Sequence, residues 1–293
     1  MISADQVYIS VIRRSVNDID FNFSYQNKDN MEMLDELGKT VAKVSKHVPG
    51  GLLMFFPSYW LMNNVYERWE QSGVLDELEQ YKQVFREPKK ATEYQFVIDR
   101  YYSKIFEEDQ GESEQNGAIL MGVCRGRISE GLDFSDNAAR CVIIVGIPFP
   151  QMTDPKVILK KEYLDQKGIL ERRKASPGTR VATLSGKDWY NQQATRAVNQ
   201  AIGRVIRHVQ DFGAILLFDL RYMYQSNKSQ ISAWLRDRIK VPDRYTAADL
   251  QLRAFYQKMA HKGFKPKVEQ LEQLRVEFDD ANSTGENQGA LPQ

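Results

Sequence analysis

The 293-residue sequence has only two cysteines, Cys124 and Cys141, and three histidines. No CxxC pair and no His/Cys cluster occurs, which argues against a zinc site; both cysteines lie in or beside apolar runs and are expected as buried, reduced thiols. Long apolar runs are missing as well. None approaches the ~18 residues of a membrane-spanning helix, and the first residues lack the layout of a secretory signal, so a soluble, intracellular protein is expected. Charge of one sign is also lacking. Forty basic against 39 acidic residues leave a formal +1, so any basic surface must be local. Finally, phosphate-binding fingerprints are absent. There is no GxGxxG, no nucleophile elbow and no GxxxxGK[ST]. The one GKT, Gly38-Lys39-Thr40, has Met33 where the first glycine belongs and sits in a helical pattern, while Ser185-Gly186-Lys187-Asp188 lacks a hydroxyl after its lysine.

What is present is a core-forming composition, 42% hydrophobic and 11% aromatic, enough for one large domain or two small ones. Residues 6–12 alternate Val7, Ile9 and Val11 with polar neighbours, the pattern of a half-buried strand. Residues 13–30 read as polar and irregular. Apolar spacing predicts a helix over 31–48, ended by Pro49-Gly50-Gly51. Continuous apolar runs at 51–58, 118–124, 140–150 and 213–219 predict strands buried on both faces, with a further short strand at 81–85. Helices are expected at 59–72, 91–107, 189–209, 227–240 and 246–262. The stretch 151–179 is charged, and no repeat is visible. Alternating strands and helices of this kind predict an α/β parallel sheet with helices on both faces.

Three strings carry chemistry. In WYNQQATRAVNQAIGRVIRHV (189–209), Ala194, Val198, Ala201, Ile202, Val205 and Val209 form an apolar stripe. A helix running through the whole segment would put Gln200, Arg204 and Arg207 on one opposite face. Gly203 in mid-helix costs roughly 1 kcal/mol against alanine, which suggests a close approach to that face. Planar guanidinium forks suit phosphate; the plainer alternative is a solvated basic helix face. CRGRISEGLDF (124–134) follows a buried strand. Its Gly126 and Gly131 let backbone approach a ligand, Arg125 and Ser129 suit a nucleic-acid phosphate, and Glu130 and Asp133 suit nucleotide sensing. An ordinary strand-to-helix turn is the alternative. In GGLLMFFPSYW (50–60), Ser58 can either cap a helix or contact a phosphate.

These strings, with VPGGLLMFFPSYWLM, VGIPFPQMTDPKVILKKEYLD and LSGKDWYNQQATRAVNQAIGRVIRHVQDFGAILLFDLRY (184–222), resemble motifs IV, V and VI of superfamily 2 helicases, and within them the XPD-like iron–sulfur helicases. The resemblance covers about 31–240. It implies a RecA-like second motor domain at 31–240, after a lead-in strand and loop (1–30) and before a helical extension (241–278) and a disordered tail (279–293). It further implies ATP-driven 5′ to 3′ movement on single-stranded DNA, with Arg204 and Arg207 as arginine fingers and Gln200 beside them. Gly203, Glu130, Gly131 and Asp133 would bind or sense the nucleotide, and Ser58, Arg125 and Ser129 would contact DNA phosphates. ATP and Mg²⁺ would be held mainly by a first motor domain, in cis or in trans, that supplies the P-loop; the family's iron–sulfur cluster has no cysteine set here. Half of a motor is therefore expected, inactive alone and nuclear by resemblance, since Lys160-Lys161 and Arg172-Arg173-Lys174 are too short to establish that by themselves. A non-enzymatic RecA-like module that binds nucleic acid or protein is the alternative.

Overall fold

The computed structural model describes residues 3–106, 115–131, 134, 136–174, 176 and 182–262. Six strands, β1 (Val7–Val11), β2 (Gly50–Phe56), β3 (Gln83–Arg86), β4 (Gly117–Val123), β5 (Cys141–Val145) and β6 (Gly213–Phe218), form one sheet in the order β1-β6-β5-β2-β4-β3. Every pairing is parallel. Because strand side chains alternate, each strand feeds two cores. Leu52, Met54 and Phe56 of β2 join one face, with Met121, Ile143 and Leu216. Leu53 and Phe55 join the other, with Leu120, Ile144 and Leu217.

The first face is covered by α1 (Met31–Ser45), α2 (Tyr59–Ser72), α3 (Val74–Glu79) and, further along the chain, a long helix at 245–261. The second is covered by α4 (Tyr94–Phe106), α5 (Arg127–Gly131) and α7 (Gly186–Ile202), with α6 (Pro155–Lys174) packed outside against α7. Two one-turn helices, α8 (Gln225–Lys228) and α9 (Ala233–Arg236), precede α10 (Tyr245–His261). No helix among the described residues is long and apolar enough to cross a membrane.

Several sequence expectations change. The first strand is buried throughout rather than half-buried, because α10 covers one face and Lys240 bridges its outer edge at Ser10. A single helix over 227–240 is replaced by α8 and α9, with Asn199 accepting from the Ser232 backbone N–H and hydroxyl between them. Three helices, α3, α5 and α6, were not foreseen. The segment 13–30 is irregular yet packed: Phe21 and Phe23 are buried, and the Phe23 N–H donates to Asp219. The expected tail, 279–293, lies outside the described residues.

The GKT string is part of α1. Gly38 lies against Trp69, whose ring an added Cβ would meet at 2.6–2.8 Å. Lys39 pairs with Glu36 at 2.9 Å and the Thr40 hydroxyl donates to the Glu36 carbonyl. Ser185 of the second GK string caps α7, accepting from the Asp188 N–H at 3.1 Å.

Candidate nucleotide and DNA face

In an all-parallel sheet every strand exits at the same edge. The carboxyl edge here carries Ser58 after β2, Glu87 after β3 and Cys124–Gly126 after β4. Ser58 caps α2 through its side chain, which accepts from the Leu61 N–H at 3.3 Å. That is the capping alternative read from the sequence. Arg125 is exposed and holds a left-handed φ of +65°. Its guanidinium donates to the Pro148 carbonyl and, at 3.4 Å, to that of Gln193, so the β4 loop is tied to the β5 loop and to α7. Ser129 is buried and donates to the Gly126 carbonyl at 2.9 Å.

Glu87 organises this edge, and sequence reasoning missed it. It is buried. One carboxylate oxygen accepts from the Val123 N–H at 2.8 Å. The other accepts from the Arg127 N–H at 2.8 Å and from the Tyr59 hydroxyl at 3.0 Å. The carboxylate thus satisfies a first-turn N–H of α5 and joins the end of β4 to the start of α2. Burial and the Glu87 charge push the Tyr59 phenol up to about 12, so Tyr59 stays a donor at neutral pH. The single signal for Glu87 in the sequence is a carboxylate just after a short apolar strand, which is too common to single it out.

The arginine string departs from the helical expectation. Helix α7 ends at Ile202, and Gly203 is its C-cap at φ −63°. Among the described residues an added Cβ there would meet only the preceding carbonyls of Asn199 and Gln200, at 3.3 and 3.4 Å. Val209, expected in the apolar stripe, is 64% exposed. Arg204 and Arg207 therefore lie on the loop that leads into β6, while Gln200 remains exposed on the last turn of α7; the three do not share one helical face. The chain has to leave the helix to enter the sheet. Asp211 holds the turn, accepting from the N–H of Arg207 and of Phe212, each at 2.9 Å. Its partner is the buried Arg140 guanidinium at 2.7 Å.

The structure nonetheless joins this loop to the β4 string. The Arg204 guanidinium lies across the Ser129 carbonyl, with Nε at 2.9 Å and Nη2 at 2.5 Å. Helix α5 is thereby held at both ends, by Glu87 at its start and Arg204 near its finish. Of Glu130 and Gly131 only the helical backbone is described, and Asp133 lies outside the described residues.

Asp136, His208 and Asp211 bring ligand atoms within 4.8 Å of one another. Arg140 lies among them, 2.7 Å from Asp211 and 3.5 Å from Asp136, and supplies the positive charge. Cys124 and Cys141 are free and buried. Burial pushes the Cys124 thiol up to about 12 and that of Cys141 higher still. Two buried thiols, one after β4 and one at the start of β5, do not make up the four-cysteine set of an iron–sulfur cluster.

An all-parallel sheet covered by helices on both faces, with an arginine loop docked on the helix after a central strand, defines a RecA-like α/β domain. A family model for the helicase C-terminal domain matches residues 41–238, and the chain belongs to that family. A regulator of telomere elongation helicase 1 homolog from Anopheles gambiae is 41% identical over 240 residues, covering 82% of this chain and 23% of that protein. The homolog from Drosophila melanogaster is 41% identical over 239 residues, with the same coverage of 82% and 23%. The chain spans about a quarter of the length of these relatives. An XPD helicase structure shares the fold, with a TM-score of 0.51 at 23% identity, over 80% of this chain and 35% of that one.

Proposed function

We propose that this chain is the second motor domain of an ATP-dependent 5′ to 3′ DNA helicase that acts in the nucleus, in telomere maintenance or DNA repair. The observation that carries the reading is the docking of Arg204 on α5. This one short helix connects the arginine loop to the carboxyl edge where Ser58 and Arg125 stand.

In this reading ATP is the substrate, held with Mg²⁺ by a first motor domain, and its hydrolysis supplies the driving force. The residues of this chain fit the phosphate end of that substrate: the two guanidinium groups are donors only, and the Gln200 amide adds a further donor beside its carbonyl oxygen. Arg207, exposed on a loop anchored by the buried Arg140–Asp211 pair, is the finger that meets charge developing on the transferred phosphate. Arg204 stabilises the same charge and, through Ser129, makes the position of α5 depend on it. Gln200 and Gly203 border the nucleotide, with Glu130, Gly131 and Asp133 as sensors. Ser58, Arg125 and Ser129 belong to the DNA track, Ser58 and Ser129 as positioning residues whose hydroxyls already cap α2 and bond Gly126.

The test is DNA-stimulated ATP hydrolysis by this chain alone and mixed with a first motor domain from a related helicase. The expected result is turnover only in the mixture. Turnover in neither, with salt-sensitive DNA binding intact, would favour a non-enzymatic binding module, the reading suggested by the missing P-loop.

A further inference from the structure

We infer that Tyr25 and Trp60 form a base-stacking platform for single-stranded DNA, with Lys28 between them to meet the backbone. This deepens the DNA-track reading above and rests on it. Tyr25 is 83% exposed and Trp60 48%. They come from separate segments, the loop before α1 and the first turn of α2, yet share one cation: the Lys28 ammonium lies 4.4 Å from the Tyr25 ring centroid and 4.2 Å from that of Trp60. Both segments lie at the carboxyl edge, since α1 precedes β2, α2 follows it, and the strands are parallel. Trp60 is two residues from Ser58.

Two simpler ring–cation pairs on half-buried tyrosines lie further along the sheet. The Arg127 guanidinium, after β4, lies 6.0 Å from the Tyr94 ring, and Arg86, ending β3, lies 3.7 Å from the Tyr66 ring. Only Lys28, among these cations, lies between two exposed rings, those of Tyr25 and Trp60. Exposed ring faces interleaved with positive charge suit a polyanion whose bases are unpaired, because every base offers a π-face and every step a phosphate. Duplex DNA keeps its bases stacked on each other and cannot use such rings. Holding Lys28 against the rings in advance lowers the cost of ordering it on binding.

The experiment is fluorescence anisotropy of the full chain with a labelled oligodeoxythymidylate of about 20 nucleotides, over a salt series. Tyr25→Ala and Trp60→Ala are each expected to weaken binding about tenfold at unchanged salt slope, while Trp60→Phe retains most of the affinity. Lys28→Ala is expected to lower the salt slope by about one phosphate contact. On an abasic strand the wild-type chain and Trp60→Ala should bind alike. Both exposed-ring variants should melt as the wild type does. The platform is overturned if both ring variants bind the oligonucleotide as the wild type does while Arg125→Ala weakens binding, or if their loss persists on the abasic strand. A wild-type chain that binds no single-stranded DNA even at low salt overturns the DNA-track reading, and the platform with it.

Discussion

At the scale of single residues, the molecule separates side chains that look alike in sequence. Arg204 and Arg207 are three apart in one string, but the Arg204 guanidinium bonds the Ser129 carbonyl, whereas the Arg207 backbone N–H is held by Asp211. The geometry of QAIGRVIRH was not legible in the sequence, because it depends on Asp211 and Arg140, which lie outside that string. Glu87 is the reverse case, with an unremarked sequence and a central position. Glu87→Gln keeps the volume but turns an amide donor toward the N–H and hydroxyl donors of Val123, Arg127 and Tyr59. Leaving such buried donors unpaired is expected to cost about 2–3 kcal/mol, read as a lower urea midpoint. An unchanged midpoint would mean that the carboxylate does not hold this edge together.

At the scale of elements, sheet strands were read well and helix ends poorly. Buried parallel strands are continuous apolar runs, so β2, β4, β5 and β6 were legible within a few residues. Helix α6 has no apolar stripe: of its twenty residues only Val157 and Gly168 are buried, and periodicity has nothing to detect there. Helix α7 fails in the other direction. Its stripe continues in register to Val205, but the chain must turn back to start β6. At Gly213 an added Cβ would come within 2.4 Å of Val205 Cγ1, so the turn is set by tertiary packing rather than by local preference. Gly38 in α1 tests the same competition. Alanine raises helix propensity by about 1 kcal/mol, but its Cβ would meet the Trp69 ring and come within 2.3 Å of Val74 Cγ1. Overpacking of this kind costs about 1–3 kcal/mol. Gly38→Ala is therefore expected to lower stability in denaturant unfolding, whereas a gain would show that α1 and α2 have room to separate.

At the scale of the whole molecule, the sheet separates an amino edge held by buried polar bonds from the carboxyl edge proposed to carry the chemistry. Opposite the carboxyl edge, Lys82 is buried, and its ammonium donates to the Gly50 carbonyl at 2.7 Å and to Asn116 Oδ1 at 2.8 Å. Burial pushes it down to about 7. The folded chain then releases this proton near pH 7 while the unfolded chain keeps it to about pH 10.4. Between pH 7 and 9 the unfolded state binds more protons, so this group makes stability rise with pH, and below pH 7 its contribution is constant. Unfolding midpoints at pH 7, 8 and 9 should show a rise that Lys82→Met reduces; identical slopes in the two proteins would show that the amine stays protonated. The RecA-like architecture was legible through the resemblance that the strings and their order carry. The link that α5 makes between them required the fold.

The measurement that most directly tests the central claim is steady-state ATP turnover of the complemented two-domain motor with Arg207→Ala and Arg204→Ala. A finger that acts on transition-state charge predicts that kcat falls about 10³-fold in Arg207→Ala with KM little changed. Arg204→Ala should lose turnover and stability together, through the lost bonds to Ser129. Undiminished turnover in both variants would contradict the assignment of this loop to the nucleotide.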